Sequence, residues 1–397
     1  MGGGRTDMAG FAWVWFWLAA GLLVYVYAGF PALVAAVGWL RRREVNKKPI
    51  TPSVSLIIAA YNEEESIGQR LENALALDYP EEALETIVAS DGSTDRTETI
   101  VQRYADHRVR LLSLPRCGKI PALNAAVAQA RGEILVFSDA NSMCDSQALR
   151  KLTQNFADAE VGGVVGKTGY IISPDSESSS RGEDLYWNYD SWLKQLESFS
   201  GNVVSAHGGL YAIRRELYIP VSDPAVTDDF AISTAVIEQG RRLVFECAAH
   251  SYETAVPKAG REFQRRTRLM TRGLRALLLR KRLLNPCRYG FYSLALFSHK
   301  VLRRLLAVAL VIAFASSLAL SSSGVLYSFA AATQVIFYSA AGAGYLLRRT
   351  RLGHRKCLYI PFFYCMANAA ALVAVAKLMR GERITLWQPQ RHSEGAS

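Results

Sequence analysis

Two long uncharged stretches frame a central region of short alternating blocks. No residue from 11 to 40 carries a charge, and the run stops at Arg41, Arg42 and Arg43. About 20 apolar residues cross the hydrocarbon core of a bilayer, so one tilted span fits here. A secretory signal would be shorter and would close on small residues, which makes this stretch a retained anchor. A second uncharged run, 305–347, is long enough for two helices, and Ser321, Ser322, Ser323 and Gly324 break it near its middle. Two helices joined by a tight turn are predicted. The segment 358–376, with Pro361 and Asn368 inside it, predicts one more. The pattern thus predicts a span at 11–40 after a short tail at 1–10, three spans within 301–380, and a tail at 381–397.

The middle reads differently. Apolar, β-rich blocks at 54–59, 84–90, 109–112 and 133–138 alternate with helical patterns at 63–76, 94–104 and 121–130. That alternation predicts an α/β domain over 50–262, with a mixed, mainly parallel sheet flanked by helices. Ligands of such sheets bind beyond the carboxyl ends of the strands. The residues there are Tyr61, Asn62 and Glu63, then 91–95 (DGSTD), then Asp139, Ala140 and Asn141. Helix capping accounts for any one of these groups, but acceptors and carboxylates at three strand ends point to a polar ligand. No Walker sequence and no GxGxxG follows a strand, so a bound diphosphate would be held by a metal ion or by basic side chains, with Lys119 a candidate for the second role. Asp228 and Asp229 precede a helical run at 230–239, where they serve either as caps or as catalytic carboxylates.

The net charge of +11 changes the picture only in its placement. Basic residues gather at 41–48, 265–282 and 348–356, beside the spans. Such clusters mark the cytoplasmic side and attract anionic lipid, so the lipid bilayer is the expected partner. Nucleic acid is not, because no basic face is interleaved with stacking aromatics. The expectation is a multi-pass protein of the cell (inner) membrane with its α/β domain in the cytoplasm. One conflict stands: four crossings put Lys377, Arg380 and Arg383 outside, so either the last segment is re-entrant or the charge bias is overridden there.

From 263 to 282 there are eight basic residues and no acidic ones, with Leu269, Met270, Leu274, Leu277 and Leu278 at helical spacing. This predicts an amphipathic helix on the membrane surface, in an interfacial region at 263–300, before the chain enters the bilayer near Arg304. Just upstream, Tyr186, Trp187, Tyr189 and Trp192 stand near Glu183, Asp184 and Asp190. They read either as a sugar-stacking platform or as a packed helix. The six cysteines form no CxxC pair and show no metal-ligand spacing with the six histidines, as expected for free thiols in a reducing compartment.

Taken together, 55–64 (SLIIAAYNEE), 91–95 (DGSTD), Gly118-Lys119 with 122–124 (ALN), Asp139-Ala140-Asn141, 207–216 (HGGLYAIRRE) and Thr227-Asp228-Asp229 resemble the family 2 glycosyltransferases. These are inverting enzymes of GT-A fold, and the resemblance is greater to the membrane-bound branch of cellulose, hyaluronan and poly-N-acetylglucosamine synthases. It implies a nucleotide-sugar donor, of UDP type, bound through Tyr61, Glu63, Asp91, Lys119 and Asp139. A divalent cation, Mg2+ or Mn2+, would sit on Asp139 and Asn141. Asp229 would be the general base, and Asp228, Gln264, Arg265 and Arg268 would serve the acceptor and diphosphate. The implied product is a hexose or N-acetylhexosamine on a glycan acceptor at the cytoplasmic face, in surface or extracellular polysaccharide synthesis. The enzyme alternative is a single transfer to a polyprenyl phosphate or glycolipid. A non-catalytic subunit of a polysaccharide export assembly is the alternative of another class, and the sequence names no export partner.

Three positions depart from the pattern. Asn141 replaces the second acid of the metal-binding DxD, and the QxxRW signature is reduced to 265–269 (RRTRL), which has no tryptophan. His207 stands where near relatives carry an acid, with a hydrogen-bonding role expected over metal ligation.

Overall fold

The computed structural model describes residues 3–105, 108–171, 179–254, 259–348, 350–353 and 355–385. Its centre is one eight-stranded sheet in the order β3-β2-β1-β4-β7-β6-β8-β5. The strands are β1 Val54–Ala60, β2 Leu84–Asp91, β3 Val109–Leu114, β4 Ile134–Asp139, β5 Ser142–Cys144, β6 Val161–Ile171, β7 Tyr211–Arg214 and β8 Arg242–Thr254. β1, β2, β3 and β4 run parallel to one another, β7 runs against both β4 and β6, and β8 is parallel to β6. The mixed, mainly parallel sheet is therefore as expected from the alternating blocks.

Helices cover both faces, which is why β1 reads as continuous apolar sequence. Ile57 and Ala59 point into one buried cluster with Ile87, Leu135 and Phe137, while Leu56 and Ile58 point into another with Val88 and Val136. The first cluster reaches beyond the domain: Phe30 and Val34 of the anchor, and Tyr292, Ala295 and Leu296 of a later helix, belong to it. Burial of the larger of these side chains, worth about 2 kcal/mol each, locks the apolar helices to the α/β domain.

Among the described residues four helices are long and apolar enough to cross a membrane: Ala9–Arg41, Phe291–Ala319, Val325–Leu346 and Lys356–Met379. The anchor contains a π-helical turn at Tyr25–Gly29. Two details differ from the sequence reading. The helix that carries the second apolar run starts earlier than that run, at Phe291, and its first turns are packed against the domain. The predicted interfacial helix is present as Ala259–Leu279, but the helix Lys356–Met379 packs along it. After that helix the chain returns to the domain: Arg383 donates to Asp223 at 3.3 Å, and the Thr385 carbonyl lies 3.1 Å from where a Cβ on Gly118 would stand.

Candidate active site

Strand register sets the site. Ala59 of β1 pairs with Asp139 of β4, and Ala60 pairs with Ser90 of β2, so the segments at 61–63, 91–95 and 139–141 all leave the sheet at one edge. The helix Asp228–Glu238 begins at the same edge and brings its first two residues there. A cavity of about 310 Å³ collects Lys119, Asp139, Asp228, Asp229, Glu253 and Arg265 from five separate segments.

Lys119 is the hub. Its Nζ lies 2.7 Å from Asp139 Oδ1 and 2.9 Å from Asp228 Oδ2. Burial opposes its charge, but the two carboxylates overcome this and raise its pKa. Burial likewise works against an ionised Asp228, yet Lys119 holds that carboxyl below the ordinary range. Asp229 has no such partner at ion-pair distance among the described residues. Burial, reinforced by the neighbouring charge of Asp228, lifts its carboxyl to about 6. Two adjacent aspartates are thus separated in acidity by one lysine, which leaves one as a fixed charge and the other as a base poised near neutral pH.

Close approach governs the opposite wall. A Cβ at Gly208 would sit 3.0 Å from Asp139 Oδ2, and one at Gly209 would sit 2.6 Å from Thr168 Oγ1. Only glycines let the segment pass here. Glu253 accepts from Ser142 Oγ at 3.0 Å, and burial, then the charge of Asp139, raise it to about 7. His207 lines the cavity with Nε2 at 3.2 Å from Asp190 Oδ2, which Lys194 also approaches at 3.1 Å. Burial, then Lys194, lower its pKa to about 4, so at neutral pH it is an uncharged hydrogen-bonding group, as expected.

Tyr61, Glu63 and Asp91 stand together at the ends of β1 and β2. Asp91 is fully buried, and its Oδ1 accepts from the backbone nitrogens of Cys117 at 2.7 Å and Gly118 at 2.8 Å. Its other oxygen meets Arg116, whose guanidinium lies 3.3 Å from the centre of the Tyr61 ring. The Asp91 carboxylate therefore anchors the loop that leads into Lys119. Glu63 is buried too, accepts from Ser66 Oγ at 2.7 Å and, through its carbonyl, caps the helix Ile67–Leu75.

The helix Ala259–Leu279 supplies Arg265 and Arg266 to the cavity, both held by Glu262, at 3.2 and 2.7 Å. Gln264 is exposed instead, and Arg268 is outside the cavity lining among the described residues. Asn141 sits in the turn between β4 and β5, also outside that lining. Tyr189 and Trp192 stand with ring centres 5.9 Å apart. The side chains of Glu183, Asp184, Tyr186 and Trp187 lie outside the described residues.

The donor set is hard oxygen. Asp139 and Glu253 are close enough for one charge to suppress the other's ionisation, a conflict that a cation relieves. Among the described residues no three His, Cys, Asp or Glu side chains group to hold a metal alone. That fits a Mg2+ or Mn2+ ion held by one or two side chains and completed by phosphate oxygens.

Comparison with known families agrees with this geometry. A family model described as Glycosyl transferase family 2 matches residues 55–221. This segment is a family 2 glycosyltransferase domain. The chain is 27% identical over 267 residues to the probable glycosyltransferase YdaM of Bacillus subtilis, covering 62% of this chain and 63% of that protein. It is 26% identical over 251 residues to the poly-beta-1,6-N-acetyl-D-glucosamine synthase of Staphylococcus aureus, covering 60% of each. The chain thus spans about three fifths of the length of these two relatives. Among solved structures, the mannosyltransferase PcManGT of Pyrobaculum calidifontis, in complex with GDP-Man and Mn2+, superposes with a TM-score of 0.68 at 25% identity, over 93% of this chain and all of that one.

Sequence reasoning about the glycosyltransferase domain missed Glu253, Glu262 and Arg272. Glu253 lies in a long strand, and only the pairing of β8 with Ser142 of β5 turns it into the site. Arg272 is buried and donates to the carbonyls of Pro224 and Val226, fixing the loop before Asp228. Its place in an arginine-rich helix made it look like one more membrane-facing cation.

Proposed function

We propose that the chain is an inverting transferase that moves a hexose or N-acetylhexosamine from a UDP- or GDP-sugar to a sugar hydroxyl at the membrane surface. The observation that carries this reading is Asp229, a buried carboxylate raised to about 6 beside the Lys119–Asp228 pair. A hydroxyl is a weak nucleophile until a positioned base takes its proton, and Asp229 ionises in the range where that is possible. As the hydroxyl oxygen attacks the anomeric carbon, the bond to the diphosphate breaks and the proton passes to Asp229. Lys119, Arg265 and Arg266 line the same cavity and would offset the negative charge that grows on the leaving diphosphate. A divalent cation on Asp139, with Asn141 as a neutral ligand, would offset the rest of that charge.

Surface or extracellular polysaccharide is the product class we favour, on the relation to the Staphylococcus aureus synthase. One observation favours single transfer instead: Leu269 lines the cavity at the position where the resemblance to chain-extending synthases expects a tryptophan.

We place the glycosyltransferase domain and the end of the last apolar helix on the same, cytoplasmic, face. A chain that leaves the domain at Phe291 and touches it again at Arg383 crosses a bilayer an even number of times. The three apolar helices between cannot all cross. The helix Lys356–Met379, lying along the interfacial helix, is the one we assign to the membrane without a crossing. Lys377, Arg380 and Arg383 then obey the positive-inside bias.

The test is release of nucleoside diphosphate by purified protein offered UDP- and GDP-sugars with Mn2+. We expect Asp229→Asn to lower turnover by about 10³-fold while donor binding persists. Undiminished turnover in that variant would remove Asp229 as the base. Product sizing at low conversion separates polymer from single addition.

A further inference from the structure

Among the described residues, one carboxylate of the cavity neither pairs with a cation nor serves as the proposed base: Glu253. It lies in β8, 111 residues beyond Ser142 in sequence, yet the sheet brings the two together. Ser142, the residue after Asn141, is the register partner of Glu253 across β5 and β8, and its Oγ donates to Glu253 Oε1 at 3.0 Å. The carboxylate is thereby fixed beside the turn that joins β4 to β5. Two adjacent glycines locate it against Asp139. A Cβ on Gly208 would stand 3.0 Å from Asp139 Oδ2, and one on Gly209 would stand 3.1 Å from Glu253 Oε1. Asp139 and Glu253 therefore flank one dipeptide, each with an oxygen against it. Lys119 takes the other oxygen of Asp139, at 2.7 Å. Asn141 is outside the cavity lining among the described residues, whereas Asp139 and Glu253 both belong to it.

Two carboxylates that share one site repel each other, and a positive charge between them removes that cost. The chain's own cations are already engaged. Lys119 is divided between Asp139 and Asp228, and Glu262 holds both Arg265 and Arg266. The cavity is lined by five carboxylates, Asp139, Asp228, Asp229, Glu253 and Glu262, against those three cations. A divalent ion suits this deficit, and carboxylate oxygens completed by water and phosphate are the donors that Mg2+ and Mn2+ prefer. We propose that Glu253 is a ligand of the divalent cation proposed at Asp139, supplying from β8 the negative charge that the amide of Asn141 withholds. The second acid is thus delivered by strand pairing rather than by the next positions in the chain. This inference rests on the cation of the proposed transferase reading.

Metal binding is measured without turnover, so that failure here leaves the transferase reading to its own test. Full-length protein in detergent is titrated with Mn2+ in the presence of UDP or GDP and no sugar donor, and the free ion is followed by electron paramagnetic resonance. We expect a saturable Mn2+ site in the parent protein. Glu253→Gln should weaken it by about tenfold or more. Adding Asn141→Asp to that variant should recover most of the loss, which also reports an intact fold. Glu253→Ala should open a coordination position to solvent, seen as an additional water on the bound ion when the spectrum is recorded in isotope-labelled water. An unchanged Mn2+ affinity in Glu253→Gln would overturn the assignment. So would a loss of affinity in Glu253→Ala with no added water, because Glu253 would then be a neighbouring charge and not a ligand. A parent protein that binds no Mn2+ would overturn it together with the proposed cation.

Discussion

Lys119 and Asp228 come from opposite halves of the glycosyltransferase domain and meet with charged atoms 2.9 Å apart, inside the cavity that also holds Asp229. Because the same ammonium reaches Asp139 at 2.7 Å, one side chain ties the end of β4 to the helix that bears the proposed base. Breaking a buried ion pair costs about 3–5 kcal/mol, since an uncompensated charge stays behind. Lys119→Met should therefore lower stability by about that much in a denaturant titration and reduce turnover by about 10²-fold or more. A variant of normal stability and rate would show that Lys119 is a bystander.

Asp229 acts as a carboxylate, so its raised pKa predicts a pH limb. Below about 6, kcat/KM should fall tenfold per pH unit, and above it the profile should level off. The sign for stability is opposite. A carboxyl raised in the folded state makes the native form pay for ionisation, a penalty absent below the unfolded value near 4 and complete above about 6. Asp229→Asn should raise the melting temperature at pH 8 and leave it unchanged at pH 3.5. A stabilisation seen equally at both pH values would contradict this assignment.

Asn141 brings an amide where the resemblance expects an acid, so the proposed cation is held with less charge. Chelation should abolish turnover, and added Mn2+ should restore it. Asn141→Asp should lower the Mn2+ concentration for half-maximal rate by about tenfold. Turnover that survives chelator would exclude a cation at Asp139.

The return of Arg383 to Asp223 predicts labelling from one side. In a variant freed of the six native cysteines, Arg383→Cys should react with an impermeant maleimide from the same vesicle face as Glu81→Cys on the domain surface. Reaction from opposite faces would restore a fourth crossing.

Much of this protein was readable from the order of its residues. Continuous apolar runs can cross a bilayer whatever their neighbours are, and β1, buried on both faces, could only be a central strand; both are local consequences of hydropathy. The strand ends were legible for the same reason, since a polar residue closing an apolar block marks where the sheet edge lies. What local pattern could not carry was the partner of each charge. Asp91 and Asp139 close similar strands, yet one is consumed in holding a loop and the other faces the cavity, because the register of 116–118 decides which carboxylate meets backbone N–H groups. Asp228 and Asp229 are chemically identical neighbours until Lys119, folded in from a distant helix, lowers one and leaves the other to burial. The cationic run at 265–282 divides only in three dimensions into Arg265 and Arg266 at the cavity, Arg272 under the catalytic loop and Arg275 on Asp223. The sequence by itself determined the layers and the sheet edge, because hydropathy acts residue by residue. Tertiary structure alone assigned the charges their work, because acidity and ion pairing depend on which atoms are brought within a few ångströms.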